Sequence, residues 1–275
     1  MLNVHRQKKF RAAGLSPATS FMPFARELAA AAAAVILPHF RTPLAIDDKR
    51  GRGVFDPVTE ADRGAEAAMR RMISARHPEH GILGEEYGAE RLEADFVWVL
   101  DPVDGTRAFI SGLPLWGTLI GLRHQGEPVL GLVAQPYIGE IFIGTRDGAW
   151  LERGAQKTKL RTRRCGALAQ ATVSATGPYL FAPEEWRRFE RLQGAAKLVR
   201  FGYDCYAYAM VAGGFIDCVA EAGLGPYDIE PLVPIIEGAG GIVTDWEGKP
   251  KRGGGQSLAI GDPALLEEAL RLLQS

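Results

Sequence analysis

The run Phe96-Val97-Trp98-Val99-Leu100 carries no polar residue and stops at Asp101. An unbroken apolar run of that length, ended by an acid, fits a strand buried on both faces. A chain of 275 residues with 47% hydrophobic residues has enough apolar material to bury it, as one large unit or as two lobes sharing a cleft.

The pattern differs on the two sides of this strand. Before it, Pro23 opens a helix to about Leu37, and a Gly-, Asp- and Lys-rich loop over Asp47 to Asp56 reads as mobile. Thr59 to roughly Ala75 is a second helix, with Ala65, Ala68, Met69, Met72 and Ile73 on one stripe. After it, β-rich runs from Trp116 to Trp150 are separated by turn signals, which predicts an antiparallel meander. Beyond Cys165 the texture alternates. Strands are expected at Ala171 to Ala175, Lys197 to Phe201, Phe215 to Ala220, Ile242 to Thr244 and Leu258 to Ile260. Helices are expected at Pro183 to Leu192, Asp204 to Val211, Asp228 to Glu237 and from Pro263. The fold class is therefore α/β and α+β: a basic tail over 1–20, an α+β lobe over 21–165 and an α/β lobe over 166–275.

Charge and composition exclude several roles. Thirty-two basic against 33 acidic side chains leave a net charge of −1, so neither nucleic acid nor an anionic membrane is attracted in bulk. The apolar run Leu28 to Leu37, closed by Pro38, is about half of the roughly 20 residues that cross a bilayer. Residues Met1 to Leu15 are basic without a following apolar core, which argues against a secretory signal and leaves a transit peptide open. Three cysteines (Cys165, Cys205, Cys218) without paired metal spacing suit a reducing, cytoplasmic setting, with Cys205 expected in helix packing. The histidines do not coincide with any acid cluster, and His77 and His80, flanking Pro78-Glu79, read as surface residues.

Chemistry concentrates in carboxylates. Asp101 and Asp104 stand three residues apart in Asp-Pro-Val-Asp-Gly-Thr, where the buried strand ends and a short helix starts. Strand ends favour ligand sites, a helix start offers free N–H groups to an anion, and Gly105 lets the backbone approach an oxyanion closely. Glu85 in Gly84-Glu85-Glu86 and Asp228 after Tyr227 are further candidates. Each also has a plain reading: a turn with a solvated acid, a loop of surface acids, a helix cap, and for Thr59 with Asp62 a capping box. Packed into one cleft, each close pair would repel by about 4 kcal/mol at an effective dielectric near 20. Such a site needs cations, and an all-oxygen donor set without His or Cys points to Mg²⁺.

Taken together, Asp56-Pro57-Val58-Thr59-Glu60-Ala61-Asp62, Gly84-Glu85-Glu86, Trp98 through Thr106, and Tyr227-Asp228 through Gly241 resemble the inositol-monophosphatase superfamily of Mg²⁺-dependent phosphomonoesterases. Arg107 to Gly112 and Asp204 to Ala209, with Tyr227 before Asp228, resemble its histidinol-phosphatase branch, although Arg52, Asp56 and Tyr203 depart from the usual pattern. The resemblance implies a two-lobed α/β/α/β/α layered sandwich with the site between the lobes. It implies two or more Mg²⁺ per site, one held by Glu85, Asp101 and the Val103 carbonyl, another by Asp101, Asp104 and Asp228. Gly105 and Thr106 would bind phosphate. Glu85 and Thr106, the latter tied to Asp62, would orient a metal-activated water for in-line attack. Arg107, Tyr203, Asp204 and Glu221 are the candidate contacts to the alcohol, and two acids there would complement the ammonium of L-histidinol phosphate. The partner is then a small phosphorylated alcohol, the product serves histidine biosynthesis, relatives imply a homodimer, and no nucleic acid or membrane is expected. The alternatives are an inositol monophosphatase or another sugar-phosphate or nucleotide phosphatase. From a different class comes a non-catalytic RNA- or protein-binding regulator.

Overall fold

The computed structural model describes residues 17–43, 46–48 and 57–275. Most of the expected basic tail and most of the loop over Asp47 to Asp56, including Arg52 and Asp56, lie outside them. The tail expected over 1–20 ends earlier than that: Pro17–Phe21 form a 3-10 turn in which Ala18 is buried. It leads into α1 (Met22–Ile36) and a further turn, Leu37–His39. The helical stretch Ala18–His39 is long and apolar enough to cross a membrane, where only half a span was expected. Met22, Ala25, Leu28, Ala29, Ala32 and Ile36, at helical spacing, instead face the protein core.

β1 (Asp47–Asp48) pairs with β2 (Pro57–Val58), and α2 (Glu60–Arg76) follows, capped by Thr59. The next strands are β3 (Gly81–Gly84), β4 (Gly88–Glu90) and β5 (Phe96–Asp104); after the short helix α3 (Thr106–Ile110) come β6 (Gly117–His124), β7 (Glu127–Gln135), β8 (Glu140–Thr145), β9 (Gly148–Arg153) and β10 (Gln156–Lys159). They form one sheet in the order β10-β9-β8-β7-β6-β5-β3-β4, antiparallel except where β3 runs parallel to β5. The second sheet has the order β12-β11-β13-β15-β14, from β11 (Thr172–Ala175), β12 (Leu198–Phe201), β13 (Cys218–Leu224), β14 (Ile242–Thr244) and β15 (Gly255–Ile260). Its helices are α4 (Pro183–Ala195), α5 (Asp204–Ala212), α6 (Pro226–Ile229), α7 (Val233–Gly238) and α8 (Leu266–Gln274).

Three hydrophobic cores define the layers. Leu28 of α1 and Met69 of α2 pack on Trp98 and Ile120 of the first sheet. Val133 and Phe142, from the other face of that sheet, meet Tyr208 of α5, Ile235 of α7 and Val219 of the second sheet. Val173 and Cys218, on the far face of the second sheet, are covered by Phe189 of α4 and Leu273 of α8. The order is thus α/β/α/β/α. The boundary near residue 165 separates the two sheets but not their cores, because the middle core belongs to both.

Two sequence expectations shift for local reasons. The helix expected over Asp228 to Glu237 is two helices, α6 and α7, because Pro231 and Pro234 interrupt it. The strand expected from Phe215 begins only at Cys218. Gly214, at φ 77°, is followed by a Phe215 that is 70% exposed.

His80 is buried rather than on the surface. Its ring stacks on His77 at 4.5 Å and on Phe96 at 5.1 Å, and its Nδ1 accepts the Trp98 indole N–H at 3.1 Å. The neutral ring therefore carries its proton on Nε2, which faces Glu79 at 3.5 Å. That proton leaves Nε2 no lone pair for a metal, although donor atoms of His77, Glu79 and His80 lie within 4.8 Å of one another. Burial, aided by His77, lowers the His80 pKa to about 4. A folded-state pKa below the unfolded value means that the neutral ring stabilises the fold above pH 6.5, and that this is lost as pH falls towards 4. His80→Gln, which keeps an acceptor for Trp98, should flatten that limb. Between pH 7 and pH 5 the melting temperature of the wild type is expected to fall on the order of 5 °C further than that of the variant, and parallel curves would refute the assignment.

Candidate active site

The buried strand does not stop at Asp101 but continues to Asp104 through a bulge. Asp101 pairs with Leu119 and Asp104 with Gly117, so three residue steps on β5 oppose two on β6. On a regular strand, residues three apart face opposite sides; the extra residue turns Asp101 and Asp104 to the same side. Pro102 suits the bulge because it has no N–H to leave unpaired, and its carbonyl accepts the Thr118 hydroxyl at 2.8 Å. Asp101 Oδ1 accepts the Val103 N–H at 3.0 Å, which fixes its carboxylate.

Two helix starts bring the remaining groups. Asp104 Oδ2 accepts the Cys205 N–H at 2.6 Å, in the first turn of α5. Asp228, in the first turn of α6, accepts the Gly225 N–H at 2.7 Å. Asp228 is thus the third residue of α6, with Gly225 at the cap position, and carboxylate oxygens of Asp101, Asp104 and Asp228 lie within 4.8 Å of one another. Glu85 follows the end of β3, and its N–H donates to Leu100 O at 3.1 Å. Among the neighbouring acids, its charge acts most strongly on Asp101.

These acids line a cleft of about 260 Å³ together with Val103, Gly105, Thr106, Arg107, Asp204 and Glu221. Burial pushes Asp101 well above the usual carboxylate range, with Glu85, Asp104 and Asp228 adding to it. Asp104 is pushed up in the same way by burial, Asp204 and Asp228. Among the described residues lining the cleft, Arg107 is the only cation. An all-oxygen donor set, crowded and starved of positive charge, fits a hard divalent cation held by Glu85, Asp101, Asp104 and Asp228. The Val103 carbonyl already accepts the Thr106 hydroxyl at 3.0 Å and keeps a second lone pair for a metal.

That bond corrects the expected tie between Thr106 and Asp62, because the hydroxyl has one proton and Val103 takes it. Asp62 instead accepts from Thr59, from N–H at 2.9 Å and from Oγ1 at 2.5 Å, closing the capping box of α2. Burial raises its pKa, and the nearby Glu85 contributes. Gly105 sits at φ 83°, where a Cβ would meet Leu115 O at 3.0 Å and Asp204 Cβ at 3.2 Å, so a glycine is needed there.

On the second-sheet side, Glu221 is 2% exposed, in the interior of the protein. Its oxygens accept the Thr176 N–H at 2.6 Å and the Tyr208 hydroxyl at 3.0 Å. Asp204 is the first residue of α5, at φ 44°, rather than its cap. Burial, with Glu221 nearby, lifts its pKa to about 7, against a lowering by Arg107. Arg107 lies over the Tyr179 ring at 4.0 Å. Tyr203 is not brought to the cleft: its hydroxyl accepts from Arg200 Nε at 2.6 Å and its ring packs on the middle core. Sequence reasoning missed Thr176, Tyr179 and Tyr208. Tyr208 was findable, since it follows Asp204 by one helical turn; Thr176 and Tyr179 follow β11, where a strand end meets a Gly-Pro turn.

Layered sheets with carboxylates converging from a strand bulge and two helix starts define a site for divalent cations and an anionic substrate. The chain belongs to the inositol monophosphatase family, whose pattern matches residues 18–275. Members of that family are metal-dependent phosphatases, and this chain is a phosphatase of the family. It is 45% identical over 236 residues to the chloroplastic bifunctional phosphatase IMPL2 of Arabidopsis thaliana, covering 83% of this chain but 65% of that protein. At 33% identity stand both a histidinol-phosphatase of Chlorobaculum parvum (90% of this chain, 94% of the relative) and the Nus factor SuhB of Escherichia coli (78% and 80%). The fold matches that of an inositol monophosphatase from Zymomonas mobilis with TM-score 0.85 and 41% identity, over 95% of this chain and 100% of that one.

Relief of crowding gives a stability test. Asp101→Asn keeps the acceptor for Val103 N–H but removes one of the crowded charges. In chelator it is expected to melt no lower than the wild type, by up to a few degrees higher, and to lose most of the stabilisation that added divalent cation gives the wild type. An equal response to cation in both proteins would show that Asp101 holds none.

Proposed function

We propose that this chain is a Mg²⁺-dependent phosphomonoesterase that hydrolyses L-histidinol phosphate to L-histidinol and phosphate, within histidine biosynthesis. The observation that carries the substrate is the second acid pair, Asp204 and Glu221, in the wall of the same cleft as the cation-binding acids. A neutral polyol can only donate hydroxyl hydrogen bonds to these two carboxylates, whereas an ammonium also offsets their charge. Asp204, whose pKa burial lifts to about 7, is the group an incoming ammonium would draw back to the charged form. Glu221, with both oxygens already engaged, is held in place by Thr176 and Tyr208, whose hydrogen bonds favour its charged form against the burial that raises its pKa.

Bound Mg²⁺ would neutralise the phosphate and acidify a water molecule. The first-turn N–H groups of Gly105 and Thr106 receive phosphate oxygens, since a helix start leaves them without intrahelical partners. Because the Thr106 proton is committed to Val103, its oxygen presents lone pairs to the attacking water, and Glu85 orients that water from the other side. Attack would be in line: the water oxygen bonds to phosphorus as the ester P–O bond opposite breaks, the water gives up a proton, the leaving oxygen takes one up from solvent, and no residue is esterified. The chain would work in the cytoplasm as a homodimer, which light scattering of the purified protein checks.

A second reading, an inositol monophosphatase, draws on the likeness to the Zymomonas mobilis protein. The other reading, a non-catalytic regulator, draws on the likeness to a protein named a Nus factor; it would need an RNA or protein surface, and a net charge of −1 does not favour RNA. One phosphate-release panel separates them: L-histidinol phosphate, inositol monophosphate and glycerol phosphate, each with Mg²⁺ and with EDTA. The expected result is turnover lost in EDTA and highest kcat/KM for histidinol phosphate; preference for inositol phosphate would reject the substrate, and full turnover after demetallation would reject the metal. Asp204→Asn and Glu221→Gln should cut kcat/KM for histidinol phosphate about one to two decades more than for glycerol phosphate, or about 1.5–3 kcal/mol. Equal losses on both substrates would count against these residues as alcohol contacts.

A further inference from the structure

Glu66, in the middle of α2, is fully buried, and the cleft does not include it. Its carboxylate reaches the turn that carries Glu85. Oε2 accepts the Glu86 N–H at 2.7 Å and Oε1 the Tyr87 N–H at 3.2 Å, while Arg70, one helical turn on, donates to Oε1 at 2.7 Å. Arg70 also reaches Glu90 at 2.8 Å and the Gly88 carbonyl, so the β3–β4 hairpin is gripped at its turn by Glu66 and along β4 by Arg70. With Glu85 N–H on Leu100 O, three consecutive N–H groups, those of Glu85, Glu86 and Tyr87, have fixed acceptors. Gly84 makes this possible: a Cβ there would lie 1.9 Å from Glu66 Oε1.

From this geometry we propose that Glu66 is a positioning residue for the metal site, acting through the backbone of the Glu85 turn, with Gly84 supplying the space for its carboxylate. The proposal rests on the reading of Glu85 as a metal ligand. A buried ion pair that served stability alone would need Glu66 and Arg70 but no N–H groups of a ligand-bearing turn. Here two of the carboxylate's three partners are those N–H groups. A carboxylate that fixes the backbone beside a ligand sets where the ligand oxygen can go, and loss of such a support typically weakens metal affinity 10–100-fold.

The test is a binding cycle read by Mn²⁺ titration of metal-stripped protein, following free Mn²⁺ by EPR, with thermal melting to select a temperature at which every variant is folded. The proteins are wild type, Glu66→Gln, Gly84→Ala, Glu85→Gln and the double variant E66Q/E85Q. Glu66→Gln and Gly84→Ala should each weaken Mn²⁺ binding about tenfold or more. In the Glu85→Gln background, adding Glu66→Gln should change affinity less than twofold, because the residue it positions is already gone. Wild-type affinity in Glu66→Gln and Gly84→Ala, with Glu85→Gln weakened, overturns the positioning role and leaves the Glu85 reading intact. An equal tenfold loss from Glu66→Gln in both backgrounds also overturns it, as a general loss of structure. Unchanged affinity in Glu85→Gln overturns both. Should Glu66→Gln not fold, Gly84→Ala, which retains both the Glu66 and Arg70 side chains and only crowds the carboxylate off the turn, enters the cycle in its place.

Discussion

Mutual repulsion among buried carboxylates is the constraint from which the rest of this molecule follows. Asp101, Asp104 and Asp228 bring oxygens within 4.8 Å of one another, and burial plus repulsion raises Asp101 and Asp104 well above the ordinary carboxylate range. Such a cluster persists only if backbone geometry leaves it no way to relax. Each member is accordingly fastened by a main-chain N–H close by: Val103 for Asp101, Cys205 for Asp104 and Gly225 for Asp228. Two of those bonds are local in sequence and the third joins Cys205 to Asp104 across the layers, and two of them sit at helix starts, where partial positive charge favours an anion. The fold therefore offsets part of the repulsion with its own dipoles and leaves the remainder as affinity for cations.

The layered architecture places these fasteners. β5 contributes Asp101 and Asp104 from the first sheet, α5 and α6 bring their N-termini in from the helical layer between the sheets, and Glu221 comes from β13 of the second sheet. The cleft lies where these three layers meet. A strand carrying only polar residues at that depth would not be buried deeply enough to shift a carboxylate, so the apolar run Phe96 to Leu100 is a condition of the chemistry as well as of the fold.

Much of this was legible in the residues and some was not, for identifiable reasons. The apolar strand, the two N-terminal helices and the alternation after Cys165 follow periodicity, which depends on burial alone. The spacing of Asp101 and Asp104 was visible, but the bulge that turns them to one side was not, because register is fixed by pairing with β6 and by Pro102 together. Pairing across sequence distance was hidden in the same way. Glu66 and Arg70 stand i, i+4 on α2, a spacing that by itself says nothing of a site, and only the tertiary structure shows the Glu85 turn resting on them. His80 misled because a Pro-flanked histidine suggests a wet loop, whereas the indole of Trp98 draws it inside. Tyr203, inside a recognisable motif, pointed to the cleft by sequence proximity to Asp204, yet its hydroxyl is bound to Arg200.

The middle core has a consequence for how the molecule lives and fails. Because Val133 and Phe142 of the first sheet interlock with α5, α7 and Val219 of the second, no plane of weakness runs through the residues near 165. Neither half could be excised, swapped or evolved as a portable module without stripping the covering from the other. A hinge of the kind that lets two-domain enzymes clamp their ligands has no place to bend. Traffic in and out of the cleft then falls to its rim, and a nascent chain must wait for its last third before the active-site wall can set.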